Sequence, residues 1–238
     1  MEKLQEECPK HIAIIMDGNR RWAKANNLTA KEGHKAGADN LEKIAIFANK
    51  LGIKYLTVYA FSTENWRRTE EEIGALMLLL RNYLKNFSKR ADTQNIKINV
   101  IGDISKLDVD LQDSIKKAME KTSKNTGMVL NIAFNYGGRA EILRAVKKIA
   151  KKVQENKLKI EDIDEKEFEA NLYTSGQDDP DLLIRTSGEL RTSNFLPWQI
   201  TYSEFYFPKI YWPDFNEQEL LKAIEAYKQR KRNFGGTK

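Results

Sequence analysis

Short apolar runs rich in Ile, Val, Leu and aromatic residues alternate along this chain with longer segments whose apolar residues recur at helical spacing. That alternation constrains the fold more than any other feature. Six runs are expected as strands, at 11–16, 54–61, 96–101, 128–135, 181–186 and 202–207, and helices at 37–51, 70–90, 108–124, 139–154, 165–172 and 216–230. In the first helix Leu41, Ile44, Ala45 and Ala48 share a face, and Gly52 marks its end. The 70–90 segment is acidic in its first turn and basic in its last, as the macrodipole favours. Parallel neighbours need long crossovers and burial on both faces. The expected fold is therefore α/β: a single domain over 1–238 with a central six-stranded, mostly parallel sheet flanked by helices.

With 238 residues, 41% of them apolar, the chain can bury one sizeable core and is too apolar for a disordered one. No self-similar unit recurs at a fixed period. One cysteine, Cys8, excludes an intramolecular disulfide framework, and two histidines, His11 and His34, leave little for a histidine-rich metal site. The reducing cytoplasm is the expected compartment. Residues 1–10 are charged and expected to be flexible, without the apolar core of a signal peptide. The densest apolar run, 73–80, is far shorter than the roughly 18 residues of a spanning helix. A formal charge of +6 is compatible with nucleic acid, an anionic bilayer or phosphorylated small molecules. Its basic groups converge on strand ends instead of forming one face, and no nucleic-acid module is recognisable, so nucleic acid is not expected as a partner.

Ligands of open parallel sheets bind beyond the carboxyl ends of the strands. Four such ends carry polar clusters: Asp17-Gly18-Asn19-Arg20-Arg21-Trp22, Ser62-Thr63-Glu64-Asn65-Trp66-Arg67-Arg68, Asn135-Tyr136-Gly137-Gly138-Arg139, and Arg185-Thr186-Ser187-Gly188-Glu189 with Arg191 and Ser193. Arg, Asn, Ser and Gly are residue types that hold phosphate oxygens. Asp17 admits two readings: a carboxylate that holds Mg2+ against a phosphate, or a cap for the next helix. The adjacent Arg20 and Arg21 favour the metal-diphosphate site. Trp22 reads first as packing. His34 either donates to a phosphate near a helix start or merely begins the helix. His11 opens a strand without polar company and reads as structural. Thr69 and Glu72 have capping-box spacing, which leaves Asn65, Trp66 and Arg68 unexplained.

Signatures of P-loops, nucleophile elbows, zincins and dinucleotide folds are absent. Asp178-Asp179-Pro180-Asp181 reads as a turn. Without a thiol or a histidine-activated hydroxyl, what remains is electrostatic chemistry on a phosphate ester with a divalent ion. The 73–80 run is apolar on all sides, so it is either wholly buried or lines an apolar cavity. Beside a diphosphate site the latter points to a lipid diphosphate.

Long motifs follow one another in order: Met16-Asp17-Gly18-Asn19-Arg20-Arg21-Trp22-Ala23, Tyr59-Ala60-Phe61-Ser62-Thr63-Glu64-Asn65-Trp66, Asn135-Tyr136-Gly137-Gly138-Arg139, Ile184-Arg185-Thr186-Ser187-Gly188-Glu189, Ser193-Asn194-Phe195-Leu196 and Trp212-Pro213-Asp214-Phe215. Over nearly the whole chain they resemble the bacterial cis-prenyltransferases of the undecaprenyl (polyprenyl) diphosphate synthase type. The resemblance implies a homodimeric, Mg2+-dependent enzyme with an elongated apolar tunnel beside the sheet. It would condense isopentenyl diphosphate with an allylic diphosphate, usually farnesyl diphosphate, into a long chain with new Z double bonds. The undecaprenyl carrier of cell-wall synthesis is the implied product, and so apolar a product implies transient contact with the membrane surface.

Carried onto these residues, the resemblance has Asp17 hold Mg2+ and position the allylic diphosphate, whose other oxygens meet Gly18, Asn19, Arg20, Arg21 and His34. Arg185, Arg191 and Ser193, with Thr192 between them, bind the diphosphate of isopentenyl diphosphate, and Glu204 completes the metal's surroundings. Asn65 is the family's proton acceptor; an amide is so weak a base that it is expected instead to orient a diphosphate oxygen or water that takes the C2 proton. Ser62 and Trp66 flank the reacting carbons and Arg68 lies close by. Thr63, Glu64 and Trp22 complete the substrate-binding set. The chain departs from the family pattern at Ala30, where members commonly have Arg, at Thr69 in place of Pro, at Leu190 in place of His and at Asn233 in place of Arg. The last belongs to a tail, 231–238, expected to reach the partner subunit. A catalytically silent partner subunit is the alternative reading, and the intact Asp17, Arg185 and Glu204 argue against it.

Overall fold

The computed structural model describes residues 8–230. Most of the expected flexible start, and the whole 231–238 tail with Asn233, lie outside them. The chain runs β1 (His11–Ile15), α1 (Asn19–Ala25), α2 (Ala30–Lys50), β2 (Tyr55–Ser62), a 3-10 turn (Thr63–Arg67), α3 (Glu70–Thr93), β3 (Lys97–Ile101), α4 (Val109–Lys121), β4 (Val129–Tyr136), α5 (Gly138–Gln154), α6 (Glu165–Glu169), β5 (Leu182–Arg185), β6 (Glu204–Tyr206) and α7 (Glu217–Lys228). The six strands form one sheet in the order β3-β4-β2-β1-β5-β6, and every pairing is parallel. All carboxyl ends therefore share one side of the sheet. Strand order reverses at β1, which places a crevice there.

Alternation along β1 divides the core. Ile12 and Ile14 join a large cluster with Leu41, Ile44, Leu80, Leu84, Ile115 and Ile224 from α2, α3, α4 and α7. Ala13 and Ile15 face a smaller one with Phe195, Leu196 and Ile200. All six strands form where the sequence places them, to within two residues at each end.

The helices differ more. α1 was not expected, and α2 begins at Ala30 instead of residue 37. Its start is fixed by a capping box: Thr29 N donates to Glu32 Oε2 at 2.8 Å while Glu32 N donates to Thr29 Oγ1 at 3.3 Å. Gly33 and Gly37 lie inside this helix because α1 crosses it there: a Cβ on Gly33 would overlap the Asn19 carbonyl oxygen, and one on Gly37 the Asn19 side chain. These glycines permit close packing and end nothing. α6 also stops at Glu169, short of residue 172.

His11 is not without polar company. It is fully buried, with Nδ1 2.6 Å from the Asp178 carbonyl and Nε2 2.7 Å from Thr57 Oγ1, an oxygen that accepts from Asn131 Nδ2 at 3.0 Å. The acidic 178–181 segment closes around it as a loop, the Asp181 carboxylate accepting from the backbone N–H of Lys10 and His11. Burial holds the imidazole neutral and lowers its pKa to about 4. In the unfolded chain it protonates near its ordinary value of 6.5. Stability present at pH 7 is thus lost as pH falls from 6.5 towards 4, by up to about 3 kcal/mol. Urea denaturation at pH 7 and pH 4.5 checks this: the acid loss is expected to be clearly smaller in His11→Gln than in the unmodified protein, and equal losses would contradict it.

Candidate active site

The site is built on the tips of adjacent strands. Ile15 of β1 is level with Arg185 of β5, so Asp17, two residues further on, overhangs that arginine. Arg185, 5% exposed, donates to Asp17 Oδ2 at 2.8 Å, to Ser193 Oγ at 2.7 Å and to the Arg191 carbonyl at 2.6 Å. Arg21 donates to Asp17 Oδ1 at 3.1 Å and to Glu189 at 3.0 Å. Burial by itself would raise the Asp17 pKa, but Arg185 and Arg21 outweigh it and hold the carboxyl below its ordinary value. Asp17 does not cap α1. The cap residue is Gly18, at φ 105 and with no side-chain bond, and a Cβ there would meet the Tyr211 ring at 2.7 Å.

Two cavities meet at this carboxylate. One, of about 600 Å³, is lined by Asp17, Gly18, Asn19, Arg20, Arg21, Lys24, His34 and Arg68. The other, of about 560 Å³, has Asp17, Ser62, Glu64, Asn65, Arg185 and Ser193 in its walls. Two buried polar atoms around them, Asn19 Oδ1 and Arg185 Nε, have no hydrogen-bond partner, and His34 Nε2 has only the Glu72 carboxylate, 3.5 Å away. Groups left so are poised for a polar ligand. His34 lies in the second turn of α2, not at its start; burial, then the charge of Arg68, lowers its pKa, so it meets a ligand as a neutral imidazole. Asn65 Oδ1 accepts from Ser62 N at 3.0 Å, which turns its NH2 donor to the cavity. That geometry suits orienting an oxygen, not removing a proton.

Sequence reasoning gave no role to Asn194, yet it ties the site together. Its Nδ2 donates to Glu64 at 2.9 Å, its Oδ1 accepts from Arg139 N at 2.9 Å and its carbonyl from Gly138 N at 2.8 Å. Burial would raise the Glu64 pKa, but the bond from Asn194 and those from its own turn lower it. Behind the second cavity Ala60, Leu76, Leu80, Ile132 and Phe134 line an apolar pocket of about 70 Å³. The apolar run of α3 is divided, with Leu76 and Leu80 buried and Leu78 50% exposed in a groove of about 610 Å³ between α2 and α3.

Other expected residues are placed elsewhere. Trp66 turns away from the reaction cavity: its indole donates to Asn135 Oδ1 at 2.7 Å, its ring meets Phe61 edge-on, and with Thr63 it lines a separate cavity beside Asp103 and Arg144. Trp22 donates to Asp214 at 2.8 Å and lines neither site cavity. Arg191 is exposed and held by Glu189 at 2.6 Å; only its carbonyl reaches Arg185, while the Thr192 carbonyl accepts from Phe195 N. Glu204 opens β6 level with Leu182 and Ile12, five positions before Asp17 along the strands, about 16 Å away at strand rise, and it pairs with Arg230 at 2.7 Å. Within one chain Asp17 and Glu204 do not share an ion. The sequence pattern could not show this, because the 204–206 strand had no register until it paired.

Among the described residues no group of three or more His, Cys, Asp or Glu side chains converges as a metal site. The lone, ionised Asp17 fits a Mg2+ that draws its remaining ligands from phosphate oxygens and water, the usual protein share for this ion.

The model of the Prenyltransf family, described as "Putative undecaprenyl diphosphate synthase", matches residues 15–235. An isoprenyl transferase of Clostridium tetani is 52% identical over 97% of this chain and 91% of its own length, and one of Bacillus subtilis 48% identical over 98% and 90%. Among solved structures, lavandulyl diphosphate synthase from Lavandula x intermedia, in complex with dimethylallyl diphosphate, superposes with a TM-score of 0.94 at 44% identity, covering 97% of this chain and 99% of that one. A probable undecaprenyl diphosphate synthase from Campylobacter jejuni gives 0.79 at 32% identity, covering 95% and 98%. With its motifs, parallel sheet and strand-end cavities in agreement with these matches, the chain belongs to the undecaprenyl diphosphate synthase family of prenyltransferases.

Proposed function

We propose that the protein is a Mg2+-dependent cis-prenyltransferase that adds isopentenyl diphosphate units to an allylic diphosphate, with farnesyl diphosphate as starter and a long Z-polyprenyl diphosphate, the undecaprenyl carrier, as product. The observation that carries this reading is the meeting of two Arg-lined polar cavities at one ionised carboxylate, in front of an apolar pocket. Two diphosphates and a hydrocarbon tail need such a plan. The lavandulyl diphosphate synthase bound to dimethylallyl diphosphate supports an allylic diphosphate as ligand.

In the reaction the allylic C1–O bond breaks, C1 bonds to C4 of isopentenyl diphosphate, and a proton leaves C2. Arg20, Arg21, Arg68 and His34 bind the leaving diphosphate, where negative charge accumulates. Arg185 and Ser193 bind the second diphosphate. The Asn65 NH2 orients the oxygen that takes the proton. Mg2+ on Asp17 would supply further charge neutralisation to the diphosphate. The same reading includes a homodimer, supported by the exposed Leu143 and Val146 on one face of α5, and transient contact with a membrane surface for product release. No helix among the described residues is long and apolar enough to span a membrane.

Incubating the purified protein with farnesyl diphosphate and labelled isopentenyl diphosphate tests the reading, with products resolved by chain length. A ladder ending at one long product, abolished by EDTA and restored by Mg2+, is expected; no incorporation from any allylic starter overturns it. Asp17→Asn keeps the shape and removes the charge, and its kcat is expected to fall at least about 100-fold. Arg185→Lys loses the planar fork and is expected to raise the KM for isopentenyl diphosphate about tenfold with a smaller change in kcat; an unchanged KM contradicts its role.

A further inference from the structure

Thr69 and Glu72 have capping-box spacing, but only half of the box forms. Glu72 N donates to Thr69 Oγ1 at 3.3 Å, while the Glu72 carboxylate turns elsewhere. At the start of α2 the same pattern, Thr29 with Glu32, closes both bonds. Glu72 instead places Oε1 2.9 Å from Arg68 and 3.5 Å from His34 Nε2, and Oε2 3.7 Å from Arg20. These three donors come from α1, α2 and the segment before α3, and all three line the cavity assigned above to the allylic diphosphate. A carboxylate amid three convergent donors is doing what a phosphate group would do there.

We infer that Glu72 is an internal stand-in for the allylic diphosphate, holding Arg20, His34 and Arg68 in place while the cavity is empty and giving them up when a diphosphate arrives. The inference rests on the assignment of this cavity to a diphosphate. A diphosphate carries more charge and more acceptor oxygens than a carboxylate, so it prevails in the exchange. The displaced Glu72 has a place to go, because the backbone N–H of Thr69 is the partner a closed capping box would give it, and a helix start favours an anion. Occupancy of the cavity would thereby reset the first turn of α3, the helix that also walls the apolar pocket.

Titration calorimetry with inorganic pyrophosphate on the unmodified protein, Glu72→Gln and Glu72→Asp provides the test, with thermal unfolding of each measured free and saturated. Gln can close the capping box but no longer competes for the cations. Glu72→Gln is expected to bind pyrophosphate about tenfold more tightly. Its free form is expected to melt about 4 °C lower, with the deficit gone at saturation. Glu72→Asp, one methylene short, is expected to fall between. If Glu72→Gln binds no tighter, or loses the same melting temperature free and saturated, the carboxylate is an ordinary structural or ligand-binding group and the inference falls. If the unmodified protein fails to bind pyrophosphate, the cavity's assignment falls and takes the inference with it.

Discussion

The buried pair between Asp17 and Arg185 is the interaction on which the rest of the site depends. Arg185 is almost wholly removed from water, and a guanidinium in that position needs a charge partner and acceptors for its remaining donors. Asp17 supplies the charge, Ser193 and the Arg191 carbonyl the rest. Parallel pairing of β1 with β5 makes the pair possible, because it brings two strand ends to one level. Ser193 and Asn194 are both held at positive φ, a conformation non-glycine residues adopt at a cost, and the bonds they make offset it. Asn194 then fixes Glu64 and the start of α5. A chain of contacts thus runs from one ion pair through the 190s loop to the turn that holds Asn65.

The acids of the site serve to keep it folded while empty. Arg20, Arg21, Arg68, Arg185 and Arg191 crowd one end of the sheet, and each has a carboxylate partner among Asp17, Glu72 and Glu189. Partial exposure keeps most of these pairs weak individually, which suits a site that must exchange partners. The pair of buried Arg185 with Asp17 is the exception, and its carboxylate is the point at which the two cavities meet.

Much of this was legible in the sequence, and the reason is local. Strands announce themselves through contiguous β-branched or aromatic runs, so all six were found; the strand ends followed, and with them the places of Asp17, Arg185, Asn65 and Ser193. What escaped depends on tertiary neighbours. The helix expected from residue 37 starts at Ala30, because Gly33 and Gly37 are points of contact with α1 that no local signal shows. Glu72 looked like a cap because the spacing fits one, and nothing local says that two arginines and an imidazole lie within reach of its carboxylate. Trp66 stands in a site motif but points to the far side of its turn, since residues one apart on a tight turn face different ways. Glu204 was carried over with the family resemblance, yet the register of a three-residue strand places it at the other end of the sheet.

The most direct test of the account is a crystal structure with Mg2+, isopentenyl diphosphate and a non-reactive thio analogue of farnesyl diphosphate bound together. The account predicts the ion on Asp17, the allylic diphosphate among Arg20, Arg21, His34 and Arg68, the second diphosphate on Arg185 and Ser193, and the farnesyl tail entering between Ala60, Leu76 and Phe134. Diphosphates bound away from Asp17 and Arg185, or a tail directed past Trp66 into the cavity beside Asp103, would contradict it.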